Sequence, residues 1–328
     1  MTKKDVVEKY IRRFPDTPHM TLARKIYNEN NELFTKVDVV RSYIRQIKGA
    51  GVKGLMKPVP ELRQDRSDKK NPFKIPESDL DDFSPYVINH NSFKSVAILN
   101  DIHFPYHDKQ ALETALEFLH KDKPDMILIN GDLLDFHSLS RFVKDPRSRS
   151  LSGELQMGRD FFAMLQKQFP KTKVVYKIGN HEERLETYLY VKAPELLDMQ
   201  EFKMDILLHL GGYGVDYIDN KRMIKYMGLD ILHGHEFFGN PSQAVNPARG
   251  LFNKTYGSAC VGHFHKTSEH TEKTLDGDIM TTWSMGCLCG LSPAYARFNR
   301  WNHGFAVVRN SGDRFTFHNY RIEKGRIY

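Results

Sequence analysis

Three short β-rich runs, Ser95-Val-Ala-Ile-Leu99, Met126-Ile-Leu-Ile129 and Val174-Val-Tyr-Lys-Ile178, each lead into a polar block, and this repetition limits the fold more than any other feature of the chain. The blocks are Asn100-Asp101-Ile102-His103, Gly131-Asp132 and Gly179-Asn180-His181-Glu182. A further run, Leu229-Asp-Ile-Leu232, leads into His233-Gly234-His235, and Gly262-His263-Phe264-His265 follows. Helical patterns lie between the first three runs, over roughly Asp108–His120 and Glu154–Gln168, with another from about Glu182. Such alternation implies right-handed crossovers and an α/β sheet, whose C-terminal strand edge is where ligands bind. Two Asp, one Asn and several His on one edge make a mixed oxygen and nitrogen donor set suited to first-row divalent metals.

After Gly211 the character changes to short strands, expected over Gly214–Ile218, Arg222–Tyr226, Leu229–Leu232, Ser258–Val261, Asp278–Ser284, Gly304–Arg309 and Arg314–Tyr320. A second, more antiparallel sheet packed on the first accounts for both halves. The 328 residues suffice for one large domain plus a small one, and 40% hydrophobic content fills an ordinary core. No apolar run is long enough for a membrane helix, and the opening Met-Thr-Lys-Lys-Asp is followed by no signal-type apolar core, so a cytoplasmic protein is expected. Cys260, Cys287 and Cys289 are too few for a disulfide framework. Cys287 and Cys289 read as alternate residues on a strand, with no second cysteine pair to complete a four-thiolate site.

Charge is segregated along the chain. Residues 1–72 hold ten Lys and seven Arg against nine Asp and Glu, a net of +8, so the remainder carries −1 of the overall +7. Val6, Val7, Tyr10 and Ile11 mark a first helix and Leu22, Ala23, Ile26 and Tyr27 a second. In a third, Thr35 with Asp38 makes a capping-box pattern, and Val37, Val40, Tyr43, Ile44 and Ile47 form one face before Gly49. Lys36, Arg41, Arg45 and Lys48 are expected off that face. Three short helices with a basic last one outline a helix-turn-helix-like module able to meet DNA or RNA, and a small helical cap with solvated charges is the alternative. The expected division is the helical module over 1–50, a Pro-rich, mixed-charge linker over 51–92 and a catalytic body over 93–328.

The polar blocks, taken in order, resemble the D-x-H, G-D, G-N-H-[DE], H and G-H-x-H pattern of the calcineurin-like metallophosphoesterase superfamily, over roughly residues 94–320. The resemblance implies a four-layer α/β/β/α sandwich with two metals at the junction of the sheets. It assigns Asp101, His103 and His265 to one metal and Asn180, His233 and His263 to the other, with Asp132 bridging. His235 would stand behind His233, and Asp135 would hold a ligand histidine by its second nitrogen. His181 would donate to a phosphate oxygen or protonate the leaving alkoxide, with Glu182 orienting it. Two divalent ions, Mn2+ foremost, with Fe2+, Zn2+ or Ni2+ as alternatives, would neutralise phosphate oxygens and generate hydroxide near neutrality.

Substrate class is less constrained. Serine/threonine phosphatases of this superfamily carry Gly-Asp-x-Val-Asp-Arg-Gly, whereas here the block is Gly131-Asp-Leu-Leu-Asp-Phe-His137, with Phe136 in place of the phosphate-gripping Arg. Arg184, Arg249 and Lys254 are other candidate cations for substrate, the last two in the insert Asn246–Tyr256, and the aromatic-rich tail Tyr295–Trp301 is a candidate base-stacking rim or a piece of core. The insert and tail look like those of phage and bacterial members. The expected function is a phosphodiesterase or nuclease acting on nucleic acid or nucleotides. A phosphomonoesterase and a non-catalytic nucleic-acid-binding or scaffold protein are the alternatives, and the sequence leaves homo-oligomerisation open.

Overall fold

A computed structural model describes residues 2–15, 17–51, 84–141, 150–219, 222–237, 245–275, 277–293 and 297–328, and the chain divides into units Met1–Ser84 and Pro85–Tyr328. In the first unit helices α1 (Lys3–Arg13), α2 (His19–Glu29) and α3 (Val37–Gly51) enclose a core of Val6, Val7, Leu22, Ala23, Ile26, Phe34, Val40 and Ile44. A capping box starts α1: the Thr2 hydroxyl accepts from the Asp5 N–H at 3.2 Å and the Asp5 carboxylate accepts from the Thr2 N–H at 2.8 Å. The Thr35–Asp38 pair lies at the start of α3, with Asp38 in its first turn.

Arg41 departs from the expected outward basic face, being only 4% exposed. Counted from Val37, positions 40, 41 and 44 follow the i+3, i+4, i+7 spacing of a single stripe, so Arg41 shares the core side with Val40 and Ile44. Lys36 and Arg45 are exposed, and the side chain of Lys48 lies outside the described residues.

The linker expected over 51–92 ends earlier than that range. Tyr86 and Val87 form β1, paired in parallel with Ile224 and Lys225, and Ile88 is buried among the residues between the sheets. Residues 52–83 of the expected linker lie outside the described residues.

The second unit begins as anticipated, with β2 (Ser95–Leu99), α4 (Lys109–Asp122), β3 (Met126–Asn130), α5 (Leu151–Gln168), β4 (Lys173–Lys177) and α6 (Glu183–Lys192). A one-turn α7 (Met204–Leu207) precedes β5 (Asp216–Ile218), β6 (Ile224–Tyr226) and β7 (Leu229–Leu232). Then come α8 (Pro247–Thr255), β8 (Ala259–Val261), β9 (Ser268–Lys273), β10 (Ile279–Ser284), β11 (His303–Asn310), β12 (Phe315–Glu323) and β13 (Arg326–Ile327). One sheet has the order β13-β12-β11-β2-β3-β4-β5 and the other β1-β6-β7-β8-β10-β9.

This allotment corrects the expectation that every strand after Gly211 belongs to a second sheet. β5 adds in parallel to β4, and β11 adds antiparallel to β2, carrying β12 and β13 with it. The second sheet is mixed, with β7, β8 and β10 running parallel. Short apolar strands carry no local mark of which sheet they extend, because both sheets bury a face. The exposed residues of β9 explain why it went unforeseen.

Alternation along the central strands builds the layers. Ala97, Leu99, Ile127, Ile129, Val174 and Tyr176 face the core shared with α4 and α5, while Val96, Ile98, Met126, Leu128 and Val175 join Ile224, Tyr226, Leu229 and Ile231 between the sheets. On the far side Leu251 of α8 packs with Leu232, Ala259 and Val261. The result is the α/β/β/α sandwich, and the insert Asn246–Tyr256 is mostly the outer helix of its fourth layer. No helix among the described residues is long and apolar enough to cross a membrane.

Two buried carboxylates, neither foreseen in these roles, tie the strand-end loops together. Glu182 accepts backbone N–H groups from Gly179 (2.7 Å), Asp132 (3.1 Å) and Leu134 (2.9 Å), so it braces the loops after β3 and β4 and does not orient His181 as expected. Glu236 accepts from the His233 N–H (2.9 Å) and Gly234 N–H (2.6 Å) and pairs with the fully buried Lys177 ammonium at 2.6 Å. Glu182→Ala should therefore strand three buried donors and destabilise the protein by roughly 3 kcal/mol or more, with Glu182→Gln costing less. Denaturant midpoints of the two variants check this, and an Ala variant as stable as wild type would remove Glu182 from its bracing role.

Candidate metal centre

The strand ends of both sheets deliver the polar blocks to one place. Asp101 and His103 follow β2, Asp132 follows β3, Asn180 and His181 follow β4, His233 follows β7, and His263 and His265 follow β8. Asp101, His103, Asp132, His263 and His265 all have φ between 52° and 60°, the left-handed region that non-Gly residues seldom adopt. Five strained residues in one cluster indicate that the loops are shaped to aim side chains, with the cost borne by the packed sandwich.

Two glycines make the convergence sterically feasible. Gly131 has φ +87°, and a Cβ on it would come 2.4 Å from Nδ1 of His233. A Cβ on Gly179 would come 2.2 Å from Oδ1 of Asp132. Only glycine lets these backbones approach the donor groups so closely.

The donors lie at spacings that a shared cation accounts for. His265 Nε2 is 3.1 Å from Asp101 Oδ1 and 3.3 Å from His103 Nε2. His233 Nε2 is 3.2 Å from Asp132 Oδ2 and 3.3 Å from Asn180 Oδ1. Imidazole nitrogens and carboxylate or amide oxygens are all acceptors unless protonated, and two ligands of one metal, each about 2.1 Å from it, lie near 3 Å apart. Asp132, His233 and His263 present ligand atoms within 4.8 Å of one another, as do His103, Asp132 and His181. The residues present thus fit a pair of divalent cations, with Asp132 common to both groups.

Electrostatics agree with that chemistry. Burial alone would raise the Asp101 carboxyl, yet His265, His103 and His233 hold it far below the usual carboxylate range. Burial also opposes charge on His233, but Asp132 beside it outweighs burial and raises the imidazole to about 9. His263, buried and facing the positive His233, is lowered to about 4. The carboxylates thus draw positive charge into the cluster, which a proton on His233 balances where no cation does.

The surrounding groups orient these donors. Asp135 Oδ1 is 3.0 Å from His103 Nδ1, leaving Nε2 of that ring to face the cluster, and the Asn130 carbonyl accepts from His233 Nδ1 at 2.8 Å to the same effect. His235 packs edge-on against His233 with centroids 5.3 Å apart and reaches Glu183 at 3.0 Å. His181 Nδ1 donates to the Asp135 carbonyl at 2.8 Å, and Arg184 donates to the same carbonyl at 2.7 Å and to His181 Nε2 at 3.0 Å. A carbonyl only accepts and a guanidinium only donates, so His181 carries its proton on Nδ1.

Not every candidate comes into this cluster. Arg249 and Lys254 are exposed on α8, whose buried residues are Pro247, Ala248, Gly250 and Leu251, and among the described residues no hydrogen bond or ion pair joins either to the histidines. Three further residues lie beside the cluster, of which Glu154 went unforeseen. Cys289 Sγ is 3.8 Å from His265 Nδ1, Trp301 packs on the His265 ring at 4.2 Å, and Glu154, which accepts from the Phe136 N–H at 2.7 Å, is pushed by burial up to about 7. The sequence set Trp301 at the end of a tail that is a candidate stacking rim or core and Cys289 on a strand, but placed neither beside His265. Nothing local distinguishes Glu154 from other helical glutamates.

Against known proteins, a family model described as Calcineurin-like phosphoesterase matches residues 94–279, more than half of the chain. The Gene 54 proteins of Mycobacterium phages L5 and D29 are 26% and 25% identical over 232 and 233 residues, each match covering 67% of this chain and 90% of the relative. Among solved structures, Vacuolar Protein Sorting 29 of Cryptosporidium parvum is 15% identical with a TM-score of 0.38, covering 72% of this chain and 95% of that one. The E. coli phosphoesterase Yfce is 15% identical with a TM-score of 0.33, covering 66% and 88%. With its ordered blocks gathered at one edge and the family match spanning them, the chain belongs to the calcineurin-like phosphoesterase family and is a metal-dependent phosphoric ester hydrolase.

Proposed function

We propose that this hydrolase is a phosphodiesterase acting on nucleic acid or nucleotides, with the basic N-terminal unit bringing polymer to the metal centre. The observation that carries this reading is the segregation of charge, a net of +8 in residues 1–72 of a chain whose remainder is close to neutral. Exposed Lys36, just before α3, and Arg45 on it support contact with phosphates through the first unit. In the second unit Phe136 is fully buried where protein phosphatases of the family place an arginine, which disfavours a phosphoprotein substrate.

In this reading Asp101, His103 and His265 hold one cation, Asn180, His233 and His263 hold the other, and Asp132 bridges them. Mn2+ is the leading candidate because carboxylate and amide oxygens share the set with imidazoles. Bound divalent cations supply Lewis acidity toward phosphate oxygens and lower the pKa of bound water. Arg184, anchored on the Asp135 carbonyl, offers a guanidinium to the phosphate. Once Arg184 has turned from Nε2 to a phosphate oxygen, that bare nitrogen of His181 would take up the proton released by the attacking water and pass it to the leaving alkoxide.

Removing the bridge should abolish turnover. Asp132→Asn is expected to lose both metals or bind them weakly, read by metal analysis of the purified variant, and a variant that retains two metals with near-wild-type turnover rules out the bridging role.

His181→Ala should keep its metals while kcat falls about 10²- to 10⁴-fold on a diester with a poor leaving group. The loss should be smaller on bis(p-nitrophenyl) phosphate, whose nitrophenolate needs little protonation. Equal losses on both substrates would place the effect of His181 elsewhere than on the leaving group.

A chain beginning at Pro85, which keeps β1 and Ile88, should hydrolyse bis(p-nitrophenyl) phosphate at close to the intact rate and lose most binding to nucleic acid. Each lost phosphate contact should lower the log-log salt slope by about 0.7 to 0.9. Titrations at several salt concentrations decide this, and equal binding by both chains would make the first unit a structural cap or protein-docking element. Parallel assay of p-nitrophenyl phosphate separates diesterase from monoesterase.

A further inference from the structure

The segment 297–301 reads Arg-Phe-Asn-Arg-Trp and stands against a metal-site histidine through its last residue. The Trp301 and His265 rings meet edge to face, with centroids 4.2 Å apart and planes at 69°. Trp301 is partly exposed, so it is not absorbed into a core as an aromatic-rich stretch would ordinarily be. Its position is fixed from both sides. The Trp301 N–H donates to Asn299 Oδ1 at 2.8 Å, and Asn299 Nδ2 donates to the Leu291 carbonyl at 2.6 Å. The next residue, Asn302, donates its N–H to the His265 carbonyl at 2.9 Å and accepts the Thr267 N–H at 2.9 Å. The indole is thereby held in register with the strand end that bears His263 and His265. Phe298 is fully exposed, flanked by exposed Arg297 and Arg300, and the described part of the segment contains no acid.

A fixed, partly exposed indole beside a phosphate-hydrolysing centre is a stacking platform, and adjoining cations suit the rest of a nucleotide chain. We propose that Trp301 forms the wall of the substrate cleft on the His265 side and selects phosphodiesters that carry a flat aromatic ester group, a nucleobase. This rests on the diesterase reading above and names what distinguishes its substrates. Stacking tolerates any base, so the selection is for nucleotide over alkyl ester and not for sequence.

Two diesters with a common leaving group test this: thymidine 5′-(p-nitrophenyl phosphate) and methyl p-nitrophenyl phosphate. The ratio of their kcat/KM values should favour the nucleoside in the wild type, fall about 5- to 150-fold in Trp301→Leu and largely recover in Trp301→Phe. Binding gives a second readout. Of the two tryptophans, Trp283 is buried against Phe317 with centroids 4.4 Å apart, so fluorescence should report Trp301. Thymidine 5′-monophosphate should quench it saturably and methyl phosphate should not. An unchanged ratio in the Leu variant, or no quenching, overturns the proposal and leaves Trp301 as a brace for His265. If the wild type cleaves neither diester yet the monophosphate quenches selectively, the diesterase reading fails and the stacking wall stands.

Discussion

The Glu182 carboxylate determines whether the rest of the site can exist. It lies at the start of α6 and receives N–H groups from the loops after β3 and β4, including the N–H of Asp132 itself. The Phe104–Leu134 bridge pairs part of the loop after β3, but the buried N–H groups of Asp132, Leu134 and Gly179 find their acceptor in Glu182. A single carboxylate that satisfies all three holds Asp132, Asn180 and His181 in one frame. On the other sheet Glu236 does the same for His233 and Gly234, and the fully buried Lys177 offsets its charge. Lys177 ends β4, so that ion pair also joins the two sheets next to the site.

With the loops so fixed, the inward groups are crowded and mostly of one kind. Oxygen and nitrogen acceptors approach to between 3.1 and 3.3 Å, a spacing that only a proton or a cation between them makes favourable. His233 is raised to about 9 by Asp132 against the pull of burial, whereas burial and the charge of His233 lower His263 to about 4. The left-handed backbone at five of these residues has the same origin, because a relaxed strand end would send alternate side chains to opposite faces.

The part legible in the sequence was the part written in consecutive residues. The polar blocks after apolar runs located Asp101, His103, Asp132, Asn180, His233, His263 and His265, and the glycines within them mark where backbone has to pass close to a ligand group, as Gly131 passes His233. The apolar runs of β2, β3 and β4, separated by helical patterns, likewise foretold an α/β sheet. What escaped depends on contacts between distant positions. The resemblance gave Glu182 to His181, whereas its carboxylate accepts from backbone groups of two loops. Arg41 was set outside because it is charged, although its spacing from Val37 already placed it on the core side. Strands β5 and β11–β13 could not be assigned to a sheet, since pairing with β4 or β2 leaves no trace in their own residues.

Positive charge beside this centre comes from α6 and not from the loop after β3. At position 136, where protein phosphatases of the family carry an arginine, the chain has a buried phenylalanine with φ 46°, so the loop after β3 contributes apolar packing there. The guanidinium comes instead from α6, where Arg184 reaches across to the carbonyl of residue 135 and to His181. A cation anchored on backbone by one nitrogen keeps donors for a phosphate oxygen without needing a carboxylate partner that would compete for it. It is also tied to the proton on His181, because the same guanidinium occupies the nitrogen that would face a leaving group. On the proposed function, a phosphate that draws Arg184 away would free Nε2 as it fills the site. Phosphate recognition and release of that nitrogen would then be one event, shared by Arg184 in the first turn of α6 and His181 just before it.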